Sequence, residues 1–304
     1  MNSLQSLQTV IPGRPHTSYR GRFAPSPSGL LHFGSLVAAL ASFLQAKSKQ
    51  GKWLVRIEDI DKPRELIGAD KEILKTLEAY GLYWDEEVLY QSNQAELYNE
   101  VLNHLQHNQL SYNCHCTRAQ IKQSGGVYLG TCKDLNLPAE GAAIRLKNQF
   151  PYTEFIDGLQ GKVIVNSGLA KEDFIIHRRD GLFAYQLAVV VDDIYQGITE
   201  VVRGCDLLEP TARQLTLFKT LNAHQPNYLH VPLAITEQGY KLSKQNAAPA
   251  IDNNNPQPAL IQALQFLGQN PEPALMKSSV DEIIQWAISN WQVNSIPKKQ
   301  EIML

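Results

Sequence analysis

The segment RFAPSPSGLLHFGS, residues 22–35, places two prolines, a glycine and His32 directly before a helix-like run. The prolines restrict the conformations of the loop and Gly29 permits a tight turn, so the loop can be stiff before a ligand arrives. A helix that begins near Gly34 has free N–H groups and a dipole that attract phosphate, and a donor at His32 can meet charge that develops on a phosphoryl group. Taken alone, the segment also fits a proline-rich turn with a half-buried histidine, and that alternative stays open.

A second segment, GYKLSKQNAA at residues 239–248, carries two lysines and a serine on a short loop entered by a glycine. Lys241, Ser243 and Lys244 can clamp the distal phosphates of a triphosphate while charge shifts onto the leaving pyrophosphate. A KxxK pattern by itself is more typical of a solvated surface. Its significance comes from its pairing with the first segment, which lies about two hundred residues earlier.

Three of the four cysteines, Cys114, Cys116 and Cys132, crowd into one short segment, while Cys205 stands alone. Disulfides are rare in a reducing compartment, so the cluster favours a metal site. Three thiolates can hold a structural zinc ion if a fourth ligand is supplied. The spacing alone leaves free buried thiols as an equal alternative.

Composition limits the class of protein. The chain has 304 residues, of which 43% are hydrophobic and 19% charged, as in a globular protein of two domains or of one domain with an insertion. The net charge of −2 means that a nucleic-acid partner would have to be held by local basic groups. No signal peptide is recognisable and the longest apolar helical run is too short to cross a bilayer, so we expect a cytoplasmic protein with no membrane partner.

Strand, loop, helix and strand follow one another between residues 18 and 61, which is one half of a doubly wound nucleotide-binding fold. Glu58, Asp59 and Asp61 come at the end of the second strand, where such folds bind their ligands. Further along, the patterns predict amphipathic helices, a β-rich insertion, a return to buried strand and helix, a Pro/Asn-rich linker beyond Asn246 and two short closing helices.

The motifs HFGS and KLSKQ resemble the two signature motifs of class I aminoacyl-tRNA synthetases, written HIGH and KMSKS. Together with VRIEDID and DGLFAYQLAVVVDDIYQGITEVVRGCD, they follow one another as in glutamyl-tRNA synthetases, over roughly residues 19–246. The chain departs from the motifs at Ser35, where the family has histidine, and at Gln245, where it has serine.

The resemblance implies an α/β fold of the class I aminoacyl-tRNA synthetase Rossmann type, with a zinc-containing insertion and a small helical C-terminal part. The implied divisions are an N-terminal extension (1–18), a first catalytic half (19–96) and a connective insertion with the zinc site (97–186). A second catalytic half (187–240) follows, and then the KMSKS-like loop with a helical remnant that contacts the RNA stem (241–304).

The resemblance also implies an ATP-dependent ligase that activates L-glutamate as an adenylate, with Mg²⁺ accompanying ATP. The implied catalytic residues are His32, Lys241 and Lys244, and the implied ATP-binding residues are His32, Gly34, Ser35 and Lys244. Glutamate would be contacted by Arg22, Phe23, Ala24, Pro25, Ser26, Glu58, Tyr185 and Arg203. The family pattern implies one structural Zn²⁺ bound by Cys114, Cys116, Tyr128 and Cys132. His115, which stands between two of the cysteines, would have difficulty turning to the same ion.

The identity of the RNA partner is inferred from the resemblance alone. Only 58 residues follow Asn246, too few for a second RNA-reading domain. The short form, with its CxC…Y…C and KLSKQN segments, resembles the glutamyl-tRNA synthetase paralogues that attach glutamate to queuosine in the anticodon loop of tRNA(Asp). A truncated synthetase that charges a tRNA 3′ end and a non-catalytic tRNA-binding paralogue are the alternatives.

Overall fold

The computed structural model describes residue 11 and residues 18–123, 125–236 and 249–304. The predicted phosphate-binding residues Lys241 and Lys244, and the departing residue Gln245, lie outside the described residues.

The N-terminal half begins with the predicted strand, helix and strand. Strand β1 (Arg20–Phe23) pairs in parallel with β2 (Lys52–Ile57), and helix α1 (Phe33–Ser48) connects them. Strand β2 is buried along nearly its whole length because its near-continuous apolar run packs on both faces, as parallel strands do. A short strand β3 (Leu89–Tyr90) pairs in parallel with the end of β2.

Two helices lead from this half into the insertion, namely α2 (Ala69–Ala79) and α3 (Ala95–His107). The insertion contains two small antiparallel sheets, as its turn-punctuated strands predict. One joins β4, β5 and β8, and the other is a hairpin of β6 and β7. Its strands and short helices are β4 (Ser111–Cys114), α4 (Arg118–Gln123), β5 (Ala143–Leu146), β6 (Glu154–Asp157), β7 (Gly161–Ile164), α5 (Ser167–Lys171) and β8 (Ile175–His177).

The chain then returns to the core through helix α6 (Tyr185–Tyr195), strand β9 (Glu200–Gly204) and helix α7 (Thr211–Thr220). Strand β10 (Asn227–Val231) pairs in parallel with β9, and β9 lies beside β1, where Thr199 N–H donates to the Arg20 carbonyl. The carboxyl ends of β1, β2, β9 and β10 therefore lie at the same edge, which is where an α/β fold binds its ligands.

The C-terminal part belongs to the same core as the N-terminal half. Helices α8 (Gln257–Phe266) and α9 (Val280–Asn290) place Leu260, Leu264 and Ile283 in one apolar cluster with Leu40 of α1. Beyond the two predicted helices, a strand that the sequence did not signal, β12 (Glu301–Met303), pairs in parallel with β11 (Leu233–Ile235). The domain boundaries of the sequence analysis stay predictions.

Within the described part of the chain, no helix combines the length and apolar character that crossing a bilayer requires.

Gly268, at the end of α8, is a point on which the packing of the C-terminal part depends. Its φ of +69° lies in the left-handed region, and a Cβ there would come within 2.0 Å of the Ser295 carbonyl oxygen. Gly141 has a φ of +64° and open space around a Cβ. An alanine there therefore suffers only the cost of the left-handed backbone, without a steric clash. We expect Gly141→Ala to lower the free energy of unfolding by about 1 kcal/mol, and Gly268→Ala by at least about 3 kcal/mol. Urea denaturation of both variants measures the difference, and equal losses would contradict this packing.

Candidate active site and metal centre

A cavity of about 480 Å³ opens where β1, β2, β9 and β10 end. The structure describes all but one of the residues predicted to contact glutamate or ATP, the exception being Lys244, and all of the described ones line this cavity. Those residues are Arg22, Phe23, Ala24, Pro25, Ser26, His32, Gly34, Ser35, Glu58, Tyr185 and Arg203. Segments far apart in the sequence thus meet around one ligand-sized space.

Beneath one wall lies a buried cluster of charged side chains. Arg56 is 0% exposed, and its Nη1 lies 2.9 Å from Asp193 Oδ1 while its Nε lies 3.7 Å from Asp192 Oδ2. Its Nη2 lies 3.5 Å from Glu58 Oε1. Arg22 donates from Nε and Nη2 to the two oxygens of Asp193, at 3.1 and 3.4 Å. Arg22 and Glu58, which line the cavity, are therefore held by residues behind them.

This cluster contains two guanidinium groups and three carboxyl groups, so it is neutral only if one carboxyl keeps a proton. Burial acts to raise the pKa of Asp193, but Arg22 and Arg56 together hold that pKa below its ordinary value. Burial raises the pKa of Glu58, and it raises the pKa of Asp192 to about 7. The proton that the cluster keeps is therefore carried by Asp192 up to about pH 7, and the two guanidinium groups balance Asp193 and Glu58.

On another wall of the cavity, Arg203 is held by a separate set of partners. Its Nε donates to His230 Nε2 at 3.0 Å, and its Nη2 donates to Thr211 Oγ1 and Gln214 Oε1, both at 2.8 Å. Burial lowers the pKa of His230. Because the neutral ring accepts at Nε2, its Nδ1 carries the proton and donates to Asp157 Oδ2 at 2.7 Å. Arg203 Nη1 donates no hydrogen bond within the described structure.

The loop between β1 and α1 forms the third wall. Gly29 has a φ of +143°, and His32 caps the helix, its Nδ1 accepting from the Ser35 N–H at 3.3 Å. Since Nδ1 accepts, the neutral ring carries its proton at Nε2, which lies 3.0 Å from Ser35 Oγ. His32 is therefore a donor beside the positive end of the α1 dipole, and Gly34 and Ser35 line the cavity at that end.

The three clustered cysteines come together in the insertion. The sulfur atoms of Cys114, Cys116 and Cys132 lie within 4.8 Å of one another, and those of Cys116 and Cys132 are 3.5 Å apart. A tetrahedral zinc ion with Zn–S bonds near 2.3 Å would set sulfur–sulfur distances of about 3.8 Å. The Tyr128 hydroxyl lies beside the third cysteine and accepts a hydrogen bond from the Cys132 N–H at 2.8 Å. His115 points away, with Nε2 3.0 Å from the Pro138 carbonyl oxygen.

A buried arginine supports this cluster. Arg145 Nε donates to Cys114 Sγ at 3.2 Å, and its guanidinium lies over the Tyr128 ring at 3.6 Å. A metal-bound Cys114 would keep this hydrogen bond from Arg145, and hydrogen bonds of this kind orient metal ligands. The three cysteines can therefore hold a metal ion.

The comparisons with known proteins agree with this geometry. The fold is similar to that of a glutamate tRNA ligase from Elizabethkingia meningosepticum CCUG26117 solved with its amino acid, with a TM-score of 0.76 at 24% identity over 93% of this chain and 66% of that chain. A family model described as tRNA synthetases class I (E and Q), catalytic domain, matches residues 18–302. The chain belongs to this class I tRNA synthetase family. The predicted fold class is thus confirmed, and members of the family are ATP-dependent ligases, as predicted.

Two relatives of this class I synthetase carry the name Glutamyl-Q tRNA(Asp) synthetase. The protein from Colwellia psychrerythraea (strain 34H / ATCC BAA-681) is 62% identical over 312 residues, which cover 98% of this chain and 99% of the relative. The protein from Escherichia coli (strain K12) is 56% identical over 282 residues, covering 93% of this chain and 92% of the relative.

Sequence reasoning missed the residues that support the cavity of this synthetase from behind. The signal was present, since these charged or polar side chains interrupt apolar runs such as KWLVRI, YQLAVVVDDIY and NYLHV. A charge in such a run is buried and needs a partner. The missed residues are Arg56, Asp157, Asp192, Asp193 and His230.

The raised pKa of Asp192 predicts how the stability of this synthetase depends on pH. Below the ordinary pKa of 3.8 both states are protonated, whereas between 3.8 and about 7 the folded chain keeps a proton that the unfolded chain releases. The contribution of Asp192 to stability is therefore fully present below pH 3.8 and is lost as pH rises to about 7. The loss is on the order of 4 kcal/mol.

We expect Asp192→Asn to remove that part of the pH dependence, while Glu100→Gln on the exposed face of α3 leaves it in place. Urea denaturation of the three proteins at pH values from 5 to 8 provides the measurement. A variant with the same slope as the parent chain would mean that Asp192 is ionised throughout.

Proposed function

We propose that the chain activates L-glutamate with ATP as glutamyl adenylate and transfers the glutamyl group to queuosine in the anticodon loop of tRNA(Asp). The relatives at 56–62% identity over nearly the whole chain, named for this reaction, support the proposal. Its substrates would place the reaction in the cytoplasm.

The observation that supports the amino-acid specificity is that one cavity is lined by a carboxylate, Glu58, and by two guanidinium groups, Arg22 and Arg203. Glu58 lines the cavity and its Oε1 accepts no hydrogen bond in the described structure, so its carboxylate can bind the α-ammonium of an amino acid. Arg22 and Arg203 face the same space with guanidinium groups, whose planar donors suit a carboxylate. Glutamine would put an amide NH₂ against arginine donors, which leaves both sides unpaired.

In the activation step, an α-carboxylate oxygen of glutamate attacks the α-phosphorus of ATP, the P–O bond to the β-phosphate breaks, and pyrophosphate leaves. The N-terminal N–H groups of α1, with His32 at its N-cap, would stabilise negative charge on the phosphoryl oxygens. Lys241, Lys244 and Mg²⁺ would stabilise the leaving pyrophosphate, with both lysines outside the described residues.

In the transfer step, one hydroxyl of the queuosine cyclopentenediol attacks the activated carbonyl carbon. An ester bond forms, the bond from that carbon to the phosphate oxygen breaks, and the hydroxyl proton passes to the phosphate of the departing AMP. A cyclopentenediol and a terminal ribose both offer a cis-diol, so the acyl chemistry of the family needs little change.

We expect pyrophosphate exchange to require glutamate and ATP and to proceed without RNA, because the described residues assigned to glutamate already line one cavity in the chain alone. ATP–pyrophosphate exchange with glutamate, glutamine and aspartate is the measurement. Faster exchange with glutamine or aspartate would contradict the roles of Arg22 and Arg203.

The acceptor is tested with labelled glutamate and tRNA(Asp) purified with and without queuosine. We expect label only on the modified tRNA, and nuclease mapping should place it in the anticodon loop. Equal labelling of unmodified tRNA(Asp), or label on the terminal adenosine, would instead support a truncated synthetase that charges a 3′ end. Activation without transfer to any tRNA would refute the acceptor assignment.

We further propose that the insertion holds one structural zinc ion through Cys114, Cys116, Cys132 and Tyr128. Three thiolates and a phenolate fill a tetrahedral site and leave no position for a reactant. Bound metal would tie β4 to the segment that carries Cys132 and so brace the insertion.

We expect one zinc ion per chain by elemental analysis after purification without chelator. Tyr128→Phe should lower zinc affinity because it removes one of four ligands, and Tyr83→Phe, at an exposed tyrosine, should not. A metal content near zero would contradict the whole site, whereas full affinity in Tyr128→Phe would contradict only the fourth ligand.

A further inference from the structure

A second cavity, of about 500 Å³, lies next to the substrate cavity. The two share a wall formed by the β1–α1 loop, Glu58 and Tyr185. None of the predicted glutamate or ATP contacts requires this second space. Its other lining residues include Ile60, Asp61, Arg64, Glu65, Gln91 and Arg178.

The side chains that line this second cavity have an excess of hydrogen-bond acceptors. Gln91 is 1% exposed, and its Nε2 donates to Asp192 Oδ2 at 2.7 Å, which fixes the amide so that Oε1 accepts nothing. Glu65 Oε1 is also buried and accepts no hydrogen bond, whereas Glu58 Oε1 on the shared wall faces the Arg56 guanidinium at 3.5 Å. The two orphan oxygens of Gln91 and Glu65 at one cavity call for a ligand that is rich in donors, because each unsatisfied buried acceptor is costly.

The charges around the cavity divide into an inner and an outer set. Arg64 and Arg178 are partly or largely exposed and both lie near Asp61, at 3.4 and 3.6 Å. Glu65 is 22% exposed, and its only ion-pair partner in the described chain is the exposed Lys62, at 3.0 Å. Because exposed ion pairs contribute little, Glu65 remains available to a cation that enters the cavity.

We propose that this second cavity binds the side chain of the modified base, with Glu65 accepting from its secondary ammonium and the diol directed toward the shared wall. Queuosine joins its cyclopentenediol to the 7-deazaguanine through a secondary amine, which is protonated at neutral pH. It therefore offers two hydroxyl donors and one cationic donor, which match the acceptors of this cavity. Arg64 and Arg178 at the rim face the sugar–phosphate backbone.

The position of the shared wall fits the reaction. A diol that reaches Glu58 and Tyr185 from the second cavity approaches the amino acid bound on the other side of the same residues. This inference depends on the proposed transfer to queuosine, and it adds where the acceptor is recognised and by which group.

The experiment compares Glu65→Gln with the parent chain. The substitution keeps the size of the side chain but removes its charge, and a charge-assisted hydrogen bond contributes about 10–100-fold in affinity. We expect KM for queuosine-bearing tRNA(Asp) to rise about 10-fold or more, while glutamate-dependent pyrophosphate exchange stays within about 2-fold, because Glu65 does not line the substrate cavity. Glu72→Gln, on the exposed face of α2, is the matched control and should change neither quantity.

A binding measurement without catalysis completes the test. Titration calorimetry with the nucleosides queuosine and 7-deazaguanosine should give binding for queuosine alone, weakened by Glu65→Gln. A parent chain that fails to transfer glutamate to queuosine-bearing tRNA would refute the proposed function itself. A parent chain that transfers normally, with Glu65→Gln equally active, would refute only this inference. Loss of pyrophosphate exchange in Glu65→Gln, or equal binding of the two nucleosides, would also overturn it.

Discussion

The ion cluster around Arg56 is the interaction on which the substrate cavity depends. Arg56 comes from β2, Asp192 and Asp193 come from α6, and Arg22 comes from β1, so the cluster joins three elements behind the cavity wall. Taking such charges out of water is costly, and a buried ion pair is often no more stabilising than an apolar pair. The cluster has a positional value instead. It fixes the positions of Arg22 and Glu58 before a substrate arrives. Charged groups that are held in place in advance bind the charges of a substrate without the cost of rearrangement.

The insertion is coupled to the same cavity through a second buried line of groups. Asp157 ends β6 and accepts from the Leu159 and Gln160 N–H groups of the hairpin turn. It also accepts from His230 Nδ1, whose ring in turn accepts from Arg203. The orientation of one guanidinium in the cavity is therefore set by a turn in the insertion. The β6–β7 hairpin of the insertion therefore helps to position a side chain that lines the cavity, although the cysteine cluster lies elsewhere in the insertion.

The sequence was informative where chemistry is encoded by neighbouring residues, and less so where it depends on partners far along the chain. The proline-rich loop, the strand before Glu58 and the three cysteines could be recognised because each is a pattern of neighbouring residues. The pairing of Arg56 with Asp193 spans 137 residues, and that of His230 with Asp157 spans 73 residues. Such pairs follow from the way the strands stack, which no local pattern specifies. The same holds for β12, a three-residue strand that forms only because β11 offers it an edge.

The two cavities explain why the β1–α1 loop contains two prolines. Ser26 and Ser28 line both cavities, while Pro25 lines the first and Pro27 the second, so this loop is part of the partition between them. The Pro25 carbonyl accepts from the Glu58 N–H at 3.0 Å, and the Pro27 carbonyl accepts from the Leu66 N–H at 2.9 Å. A partition that moved would change the distance between an activated carbonyl on one side and a hydroxyl on the other, and acyl transfer is sensitive to such displacements. Prolines fix φ at two positions and these carbonyls anchor the loop to the segment after β2. In the proposed reaction, a stiff loop would therefore serve the transfer step as well as phosphate binding.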